Sequence, residues 1–109
     1  KIGLMYASDY GFAASPSAWT TNLYNYDGND VNGTSIKTIN WMYMGHLEWT
    51  LTPYSLSNND VFYLHYDVRL SHNYAAYGYG SRPVLYLKAS VLYAGGSGTK
   101  DSPITLVVW

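Results

Sequence analysis

The chain has 109 residues, 48% of them hydrophobic and 12% charged, so it has the size of one domain and enough apolar residues to form a core. The net charge is -1 and no basic cluster occurs, which argues against nucleic acid and anionic membranes as partners. The absence of cysteine excludes disulfides, cysteine-based zinc sites and thiol nucleophiles. No apolar run approaches the roughly 18 residues that span a bilayer. No signal peptide is recognisable, so we expect residues 1–109 to be one domain excised from a longer protein.

The N-terminal part predicts one strand and one helix. The moderately apolar segment Lys1–Ala7 favours a strand, and Ser8–Gly11 contains turn residues. A helix is predicted over Ser15–Tyr26, because Ser can cap it and Pro16 suits the first helical position. Apolar residues at i, i+4 and i+7 from Trp19 lie on one face of this helix.

Two segments show a partial likeness to metal sites. The loop Asn25–Gly33 has several oxygen donors close together, but it lacks the order and the bidentate Glu of an EF-hand, so an Asx-rich turn is the better interpretation. His46-Leu47-Glu48 matches half of a zinc deaminase signature, but the cysteine pair that completes it is missing. We therefore predict no metal ligands and no cofactor.

The segment Trp41–Pro53 is rich in Trp and Met and predicts part of the core. We expect both Trp41 and Trp49 to be buried there. The alternating residues Glu48–Thr52 predict a strand that ends at Pro53.

A hairpin is predicted next, with strands Val61–Tyr66 and Arg69–Tyr74 around Asp67-Val68. A two-residue turn conflicts with Val68, because a β-branched residue resists a positive φ angle, so a three-residue loop is favoured at least as strongly. A loop with an odd number of residues would place Phe62, Leu64 and Leu70 on one face and Tyr63, His65 and Ser71 on the other. We favour this register because it collects the apolar side chains.

The C-terminal part predicts strands joined by glycine-rich loops. Tyr77–Gly80 is a loop, Arg82–Leu87 is predicted to be a central buried strand, and Val91–Tyr93 adds a short one. Gly95–Asp101 is a flexible turn before a final strand, Ile104–Trp109. The pattern predicts an α+β domain with a small mixed or antiparallel sheet, one or two short helices, and paired chain ends.

Tyrosines are concentrated between residues 61 and 87, which hold six of the chain's 13. Tyr offers a large contact area at a low entropy cost, and the surrounding Ser, Gly and Asn supply adaptable hydrogen bonds, a composition typical of binding surfaces. The candidate ligand-binding residues, which we expect to be largely exposed, are Tyr63, His65, Tyr66, Arg69, His72, Tyr74, Tyr77 and Tyr79.

The charged residues favour structural roles over catalysis. Arg82, beside Pro83 and an apolar run, is predicted to form an ion pair with Glu48 or Asp60. The three His and the single Glu show no spacing of a nucleophile, base and orienting group, and no phosphate-binding loop occurs. We predict no catalytic residues and no enzymatic activity.

Three motifs occur in order: Trp49–Pro53, then Gly80–Leu87 after the tyrosine-rich hairpin, then Gly96–Thr99 followed by Pro103. In this order and spacing the chain resembles C-type-lectin-fold domains of bacterial surface proteins and phages. In particular it is similar to the variable proteins of diversity-generating retroelements in gut bacteria, some of which are pilin-like.

The resemblance implies a C-type lectin-like fold and a receptor- or adhesin-like domain that displays a diversified surface. It implies a location on the bacterial surface or a phage particle, and an unknown protein or cell-surface ligand as partner. No Glu-Pro-Asn or Trp-Asn-Asp triplet is present, so the usual calcium-dependent sugar site is not implied. The alternative is a structural subunit of a pilus or phage tail fibre with tyrosine-mediated contacts, and assembly into a homo-oligomer stays open.

Such retroelements mutate template adenines, which turns Asn codons into codons that never encode Lys, Glu, Gln, Trp or Met. Residues 56–79 contain none of these five amino acids, whereas the rest of the chain contains four of the five types. This composition is in keeping with a diversified segment over Leu56–Tyr79.

Overall fold

The computed structural model describes residues 2–26, 30–31 and 34–108. This part of the chain combines short helices and strands, so the predicted α+β class is confirmed. The strands are β1 Ile2–Leu4, β2 Asp30–Val31, β3 Thr34–Ser35, β4 Glu48–Pro53, β5 Asp60–Leu64, β6 Leu70–Tyr74, β7 Pro83–Leu85, β8 Val91–Gly95 and β9 Thr105–Val108. The helices are α1 Ala7–Phe12 and α2 Ile36–Ile39, with 3₁₀ turns at Pro16–Ala18 and Leu23–Tyr26. None of the described helices is long and apolar enough to cross a membrane.

The strands form four small antiparallel sheets. The largest has the order β4–β5–β6, and the others are the pairs β1–β7, β2–β3 and β8–β9. The predicted pairing of the chain ends is wrong, because β1 pairs with β7 and the last strand, β9, pairs with β8. The predicted glycine-rich turn between two C-terminal strands is confirmed.

The core lies between α1, the 3₁₀ turns, α2 and one face of the β4–β5–β6 sheet. Small side chains on the helical side let the elements approach closely, and Tyr10, Tyr26 and Met5 fill the space between them. The buried cluster consists of Met5, Ala7, Tyr10, Ala13, Ala14, Ala18, Tyr26, Ile36, Met42, Leu64, Val68 and Leu70.

The segment predicted as a turn, Ser8–Gly11, is helical. The carboxylate of Asp9 accepts a hydrogen bond from the Tyr6 N–H at 2.8 Å, so an acidic side chain satisfies a backbone donor at the helix start. Tyr10 is fully buried, and its packing stabilises a helix that has a glycine in its last turn.

The helix predicted over Ser15–Tyr26 is replaced by two 3₁₀ turns. Pro16 does begin the first turn, with Ser15 before it as predicted. The helix does not continue, because the Asn22 side chain accepts a hydrogen bond from the Tyr24 N–H at 2.9 Å and competes with helical backbone bonding.

The expectation that Trp41 belongs to the core is wrong, because its side chain is 78% exposed. The buried Asn40 amide donates to the Tyr10 carbonyl and accepts from the Met42 N–H, which turns Met42 inward and Trp41 outward. The expectation that Trp49 lies in the core is wrong as well, because Trp49 is half-buried on β4, on the face of the sheet away from the core.

The prediction that Arg82–Leu87 form a central buried strand is also wrong. Only Pro83–Leu85 form a strand, and in the described part of the chain β7 pairs with β1 alone. Tyr86 is 80% exposed and Leu85 and Leu87 are exposed as well. An apolar run of this length does not distinguish a central strand from an edge strand, and Pro83 lacks the N–H that a central strand needs.

The register of the β5–β6 hairpin is the predicted one. Leu64 pairs with Leu70, so His65–Arg69 form a loop with an odd number of residues. Phe62 and Leu64 therefore share one face with Leu70.

Val68 in this loop has a φ angle of 82°, a conformation that costs a β-branched residue on the order of 1–3 kcal/mol. Its side chain is buried, and its carbonyl accepts a hydrogen bond from the Tyr10 hydroxyl at 2.6 Å. Burial raises the pKa of this hydroxyl above its usual value, so it stays protonated and remains a donor. The sequence favoured a loop without a positive φ angle at Val68. The hydrogen bond from Tyr10 on α1 offsets the backbone strain that this angle causes.

The Tyr10→Phe substitution should lower the free energy of unfolding by about 1–3 kcal/mol, because it leaves the buried Val68 carbonyl without a donor. Tyr43→Phe is the matched control, since the Tyr43 hydroxyl donates to the Tyr66 carbonyl at 2.7 Å at an exposed site where water can replace it. The control should stay within about 0.5 kcal/mol of the parent. Equal losses for the two variants in urea denaturation would contradict the proposed role of Tyr10.

Candidate functional site

The β4–β5–β6 sheet separates the candidate residues onto two faces. Side chains alternate along a strand, and Tyr63 pairs with Trp49 on one side and Ser71 on the other, so these side chains share the outer face. The loop 77–80 lies over this outer face, because the Trp49 indole donates to the Tyr77 carbonyl at 3.3 Å and the Asn73 amide donates to the Tyr79 hydroxyl at 3.0 Å.

A continuous line of aromatic rings, the aromatic row, runs across this outer face. The row consists of Tyr66, His65, Tyr63, Tyr79 and Tyr77, with Trp49 beside its centre. The centroids of neighbouring rings lie 4.0 Å apart for His65 and Tyr66, 4.7 Å for Tyr63 and Tyr79, and 6.1 Å for Tyr77 and Tyr79. The row gathers five of the predicted site residues on one surface.

Exposure differs between the centre and the ends of the row. Tyr63 is only 7% exposed, so the expectation that it is solvent-exposed is wrong. The rings of Trp49 and Tyr79 cover it at centroid distances of 5.9 Å and 4.7 Å. Burial raises the pKa of the Tyr63 hydroxyl, while its hydrogen bond with Ser71 acts in the opposite direction.

The two ends of the row are open to solvent. Tyr66 is 60% and Tyr77 53% exposed, as predicted. His65 and Tyr79 were also expected to be exposed, but they are half-buried between these ends and the centre. A partner that approaches the outer face therefore meets aromatic rings held in place by a buried middle, which lowers the entropy cost of contact.

His72 and Tyr74 are exposed, but they lie on the opposite face of the sheet from the row. His72 stacks on Tyr54 with a centroid distance of 3.7 Å and an angle of 6°, and its Nδ1 lies 2.9 Å from the Asp60 carboxylate. Tyr74 pairs with Asp60 across the strands and shares this face. Sequence analysis did not name Tyr54 as a site residue, but its N–H donates to the Asp60 carbonyl at 3.0 Å and its ring lies against His72.

The loop of the hairpin holds a small charged network. His65 Nδ1 lies 2.7 Å from Asp67 Oδ1, and Arg69 Nε lies 3.3 Å from Asp67 Oδ2. The Arg69 guanidinium also lies 5.6 Å from the centre of the Tyr24 ring. These contacts fix the two candidates His65 and Arg69 at the end of the row where Tyr66 is exposed.

The predicted ion pair of Arg82 is present, and its partner is Glu48. Arg82 Nη2 lies 2.6 Å from Glu48 Oε2 and donates to the Met42 carbonyl at 2.7 Å. Backbone bonds flank the pair, from the Gly80 N–H to the Leu47 carbonyl and from the Trp49 N–H to the Gly80 carbonyl, both at 2.9 Å. We call this set of contacts the Glu48–Arg82 clamp. It fixes the end of the 77–80 loop against β4.

Gly80 lies where the backbone of the segment before β4 leaves little room for a side chain. A Cβ atom there would lie 3.2 Å from the Leu47 carbonyl oxygen, which is closer than ordinary van der Waals contact. The close backbone approach brings Tyr79 over Tyr63 and Trp49.

The exposed ends of the aromatic row suit contact with a partner surface rather than binding of a metal ion. Within the described residues no group of three His, Asp or Glu side chains could hold a metal ion, and His46 is exposed. Most of the loop considered for calcium lies outside the described residues.

Comparison of the chain with protein family models, curated proteins and solved structures finds no match in any of the three.

A triple variant, Tyr66→Ser with Tyr74→Ser and Tyr77→Ser, should remain folded and lose no more than about 1.5 kcal/mol, because exposed side chains contribute little to stability. The single control Tyr63→Ser should cost more than about 2 kcal/mol, since it removes a buried ring. Urea denaturation measures both values. A triple variant that unfolds would contradict the expectation that these three exposed side chains are dispensable for folding, and a Tyr63 variant as stable as the parent would contradict a structural centre of the row.

Proposed function

We propose that the chain is a non-enzymatic ligand-binding domain, receptor- or adhesin-like, that presents a diversified tyrosine-rich surface on a C-type lectin-like scaffold. The observation that carries this proposal is the aromatic row, whose buried centre and exposed ends lie on a sheet face held by the Glu48–Arg82 clamp. Rigid aromatic anchors of this kind are the residues that dominate binding energy in protein interfaces.

The proposed family is supported by where its motifs lie. The tryptophan strand is β4, the polar and aromatic hairpin is β5–β6, and the Gly80–Pro83 segment contacts β4 through the clamp. Two of the three motifs that carry the sequence resemblance therefore pack around one site, whereas the third, Gly96–Thr99 with Pro103, lies in the connection between β8 and β9. A cell-surface or phage location and a protein or surface ligand follow from the same proposal.

A structural subunit of a pilus or fibre is the second candidate. The observation that favours it is the exposed apolar hairpin β8–β9, which lies outside the aromatic row. A subunit contact at that hairpin is compatible with ligand binding at the row, because the two surfaces share no residue.

Natural variation of this gene should be concentrated in residues 56–79 and should follow exposure within that segment. We expect Leu56, Tyr66, Tyr74 and Tyr77, all more than half exposed, to vary among isolates. The buried Leu64, Val68 and Leu70 should stay constant, because changes at core positions typically cost several kcal/mol.

Sequencing of the gene from many isolates measures this pattern, and residues 82–87 serve as the internal control because they lie outside the segment. Variation spread evenly along the chain, or equal at buried and exposed positions, would contradict a diversified binding surface. A reverse transcriptase gene and a near-copy template repeat close to the gene are the expected genomic context.

A further inference from the structure

A cavity of ≈ 400 Å³ lies at the margin of the core face of the β4–β5–β6 sheet, between β6, the start of α1 and the segment Thr21–Tyr24. Its apolar walls are formed by buried or half-buried side chains, namely Ala7, Leu23, Phe62 and Leu70. Asn22, Tyr24 and His72 line it as well and are exposed. The volume is in the range of small-molecule sites, and no described residue lines both this cavity and the aromatic row.

The imidazole of His72 meets this cavity with one nitrogen unused. Its Nδ1 lies 2.9 Å from the Asp60 carboxylate, and Tyr54 stacks on one face of the ring. In the described part of the chain neither Asp60 nor Tyr54 lines the cavity, so Nε2 and the other ring face are the parts of His72 left for it. Because a carboxylate accepts, Nδ1 carries the hydrogen of the neutral ring and Nε2 is an acceptor.

The amide of Asn22 supplies a donor to the same cavity. Its Oδ1 accepts a hydrogen bond from the Tyr24 N–H at 2.9 Å, which fixes the orientation of the amide. Its Nδ2 donates to none of the described residues, so it is available to a ligand. His72 and Asn22 thus offer one acceptor and one donor, and a hydroxyl group, which donates and accepts, complements both.

The charges around the cavity favour an uncharged ligand. Among the described residues no Lys, Arg, Asp or Glu lines it. A carboxylate would meet the acceptor Nε2 of His72 with the Asp60 carboxylate behind the ring, and an ammonium group would lose its hydration against apolar walls without an ion-pair partner. A hydroxyl group on an apolar body avoids both costs. An aromatic body suits the walls, because Phe62 and Tyr24 can pack against its face or edge.

We propose that this cavity binds a small uncharged phenol. The ring lies against Leu23, Phe62 and Leu70, and the hydroxyl donates to Nε2 of His72 and accepts from the Asn22 amide. A phenol is favoured over an aliphatic alcohol, because its more acidic hydroxyl, with a pKa of about 10, is the stronger donor to an imidazole. The inference concerns a surface separate from the aromatic row, so it does not rest on the proposed function. It gives a role to His72, which the row leaves out.

Titration of the intact chain with 4-methylphenol, followed by NMR of the backbone amides, tests the proposal. It is run at pH 8, well above the ordinary pKa of a histidine side chain. We expect a dissociation constant between about 10 μM and 1 mM, in keeping with a ligand of this size, and shifts at Leu23, Leu70 and His72. The comparison ligand is 4-methylanisole, whose hydroxyl is methylated. It should bind about two- to tenfold more weakly, which is the effect of one lost hydrogen bond.

Two variants remove the polar contacts separately. His72→Phe keeps a ring that can stack on Tyr54 but has no Nε2. Asn22→Asp keeps the oxygen that accepts from the Tyr24 N–H but has no amide donor. Each should weaken the binding of 4-methylphenol about two- to tenfold. His46→Phe is the matched control, since His46 is exposed and does not line the cavity, and it should bind like the parent. Thermal unfolding checks that each variant is folded.

The nitrogen-15 shifts of the His72 side chain test the premise, and they should show the Nδ1–H tautomer in the free chain. An Nε2–H tautomer, no amide shifts up to about 5 mM ligand, or shifts confined to the aromatic row would overturn the proposal. So would binding of 4-methylanisole, or of 4-methylphenol to a folded His72→Phe variant, within about twofold of the parent complex with 4-methylphenol. If His72→Phe does not fold, Asn22→Asp decides by the same criterion.

Discussion

The Glu48–Arg82 clamp is the interaction on which the arrangement of the proposed site depends. A single guanidinium nitrogen contacts the Glu48 carboxylate and the Met42 carbonyl, so it joins β4, the segment before β4 and the start of β7. The Glu48 side chain is almost fully buried, and a buried charge without its partner is costly. The clamp therefore determines where the 77–80 loop ends and how Tyr79 lies on Tyr63.

A second constraint acts at the other end of the row. The Tyr10 hydroxyl holds the carbonyl of Val68 in a backbone conformation that valine rarely adopts. The loop that presents His65 and Tyr66 is thus attached to α1 through a buried contact. A surface supported at both ends in this way can accept changes at its exposed side chains without loss of the fold, which is what a diversified binding site requires.

Sequence analysis predicted the parts of this structure that depend on local pattern. The alternation of apolar residues gave the correct hairpin register, and the isolated Arg82 beside Pro83 indicated an ion pair with Glu48 or Asp60, of which Glu48 is the partner. The α+β class and the C-terminal glycine-rich turn were also predicted from local sequence patterns.

The errors arise where tertiary contacts outweigh local preference. Trp41 was expected in the core from its composition alone, but the hydrogen bonds of Asn40 turn Met42 inward instead. Nothing in the local sequence around Ser8–Gly11 shows that Tyr10 will be buried and stabilise a helix there. The division of the tyrosines into a buried centre and exposed ends depends on Gly80 bringing Tyr79 over Tyr63, a contact between residues distant in sequence.

A double-mutant cycle on Glu48 and Arg82 tests the central role of the clamp most directly. Each single substitution, Glu48→Met or Arg82→Met, leaves one charge without its partner, so we expect each to lower the free energy of unfolding by at least about 2 kcal/mol. The double variant removes both charges and should lose at least about 1.5 kcal/mol less than the sum of the single losses. Single losses below about 0.5 kcal/mol that add without coupling would contradict the account.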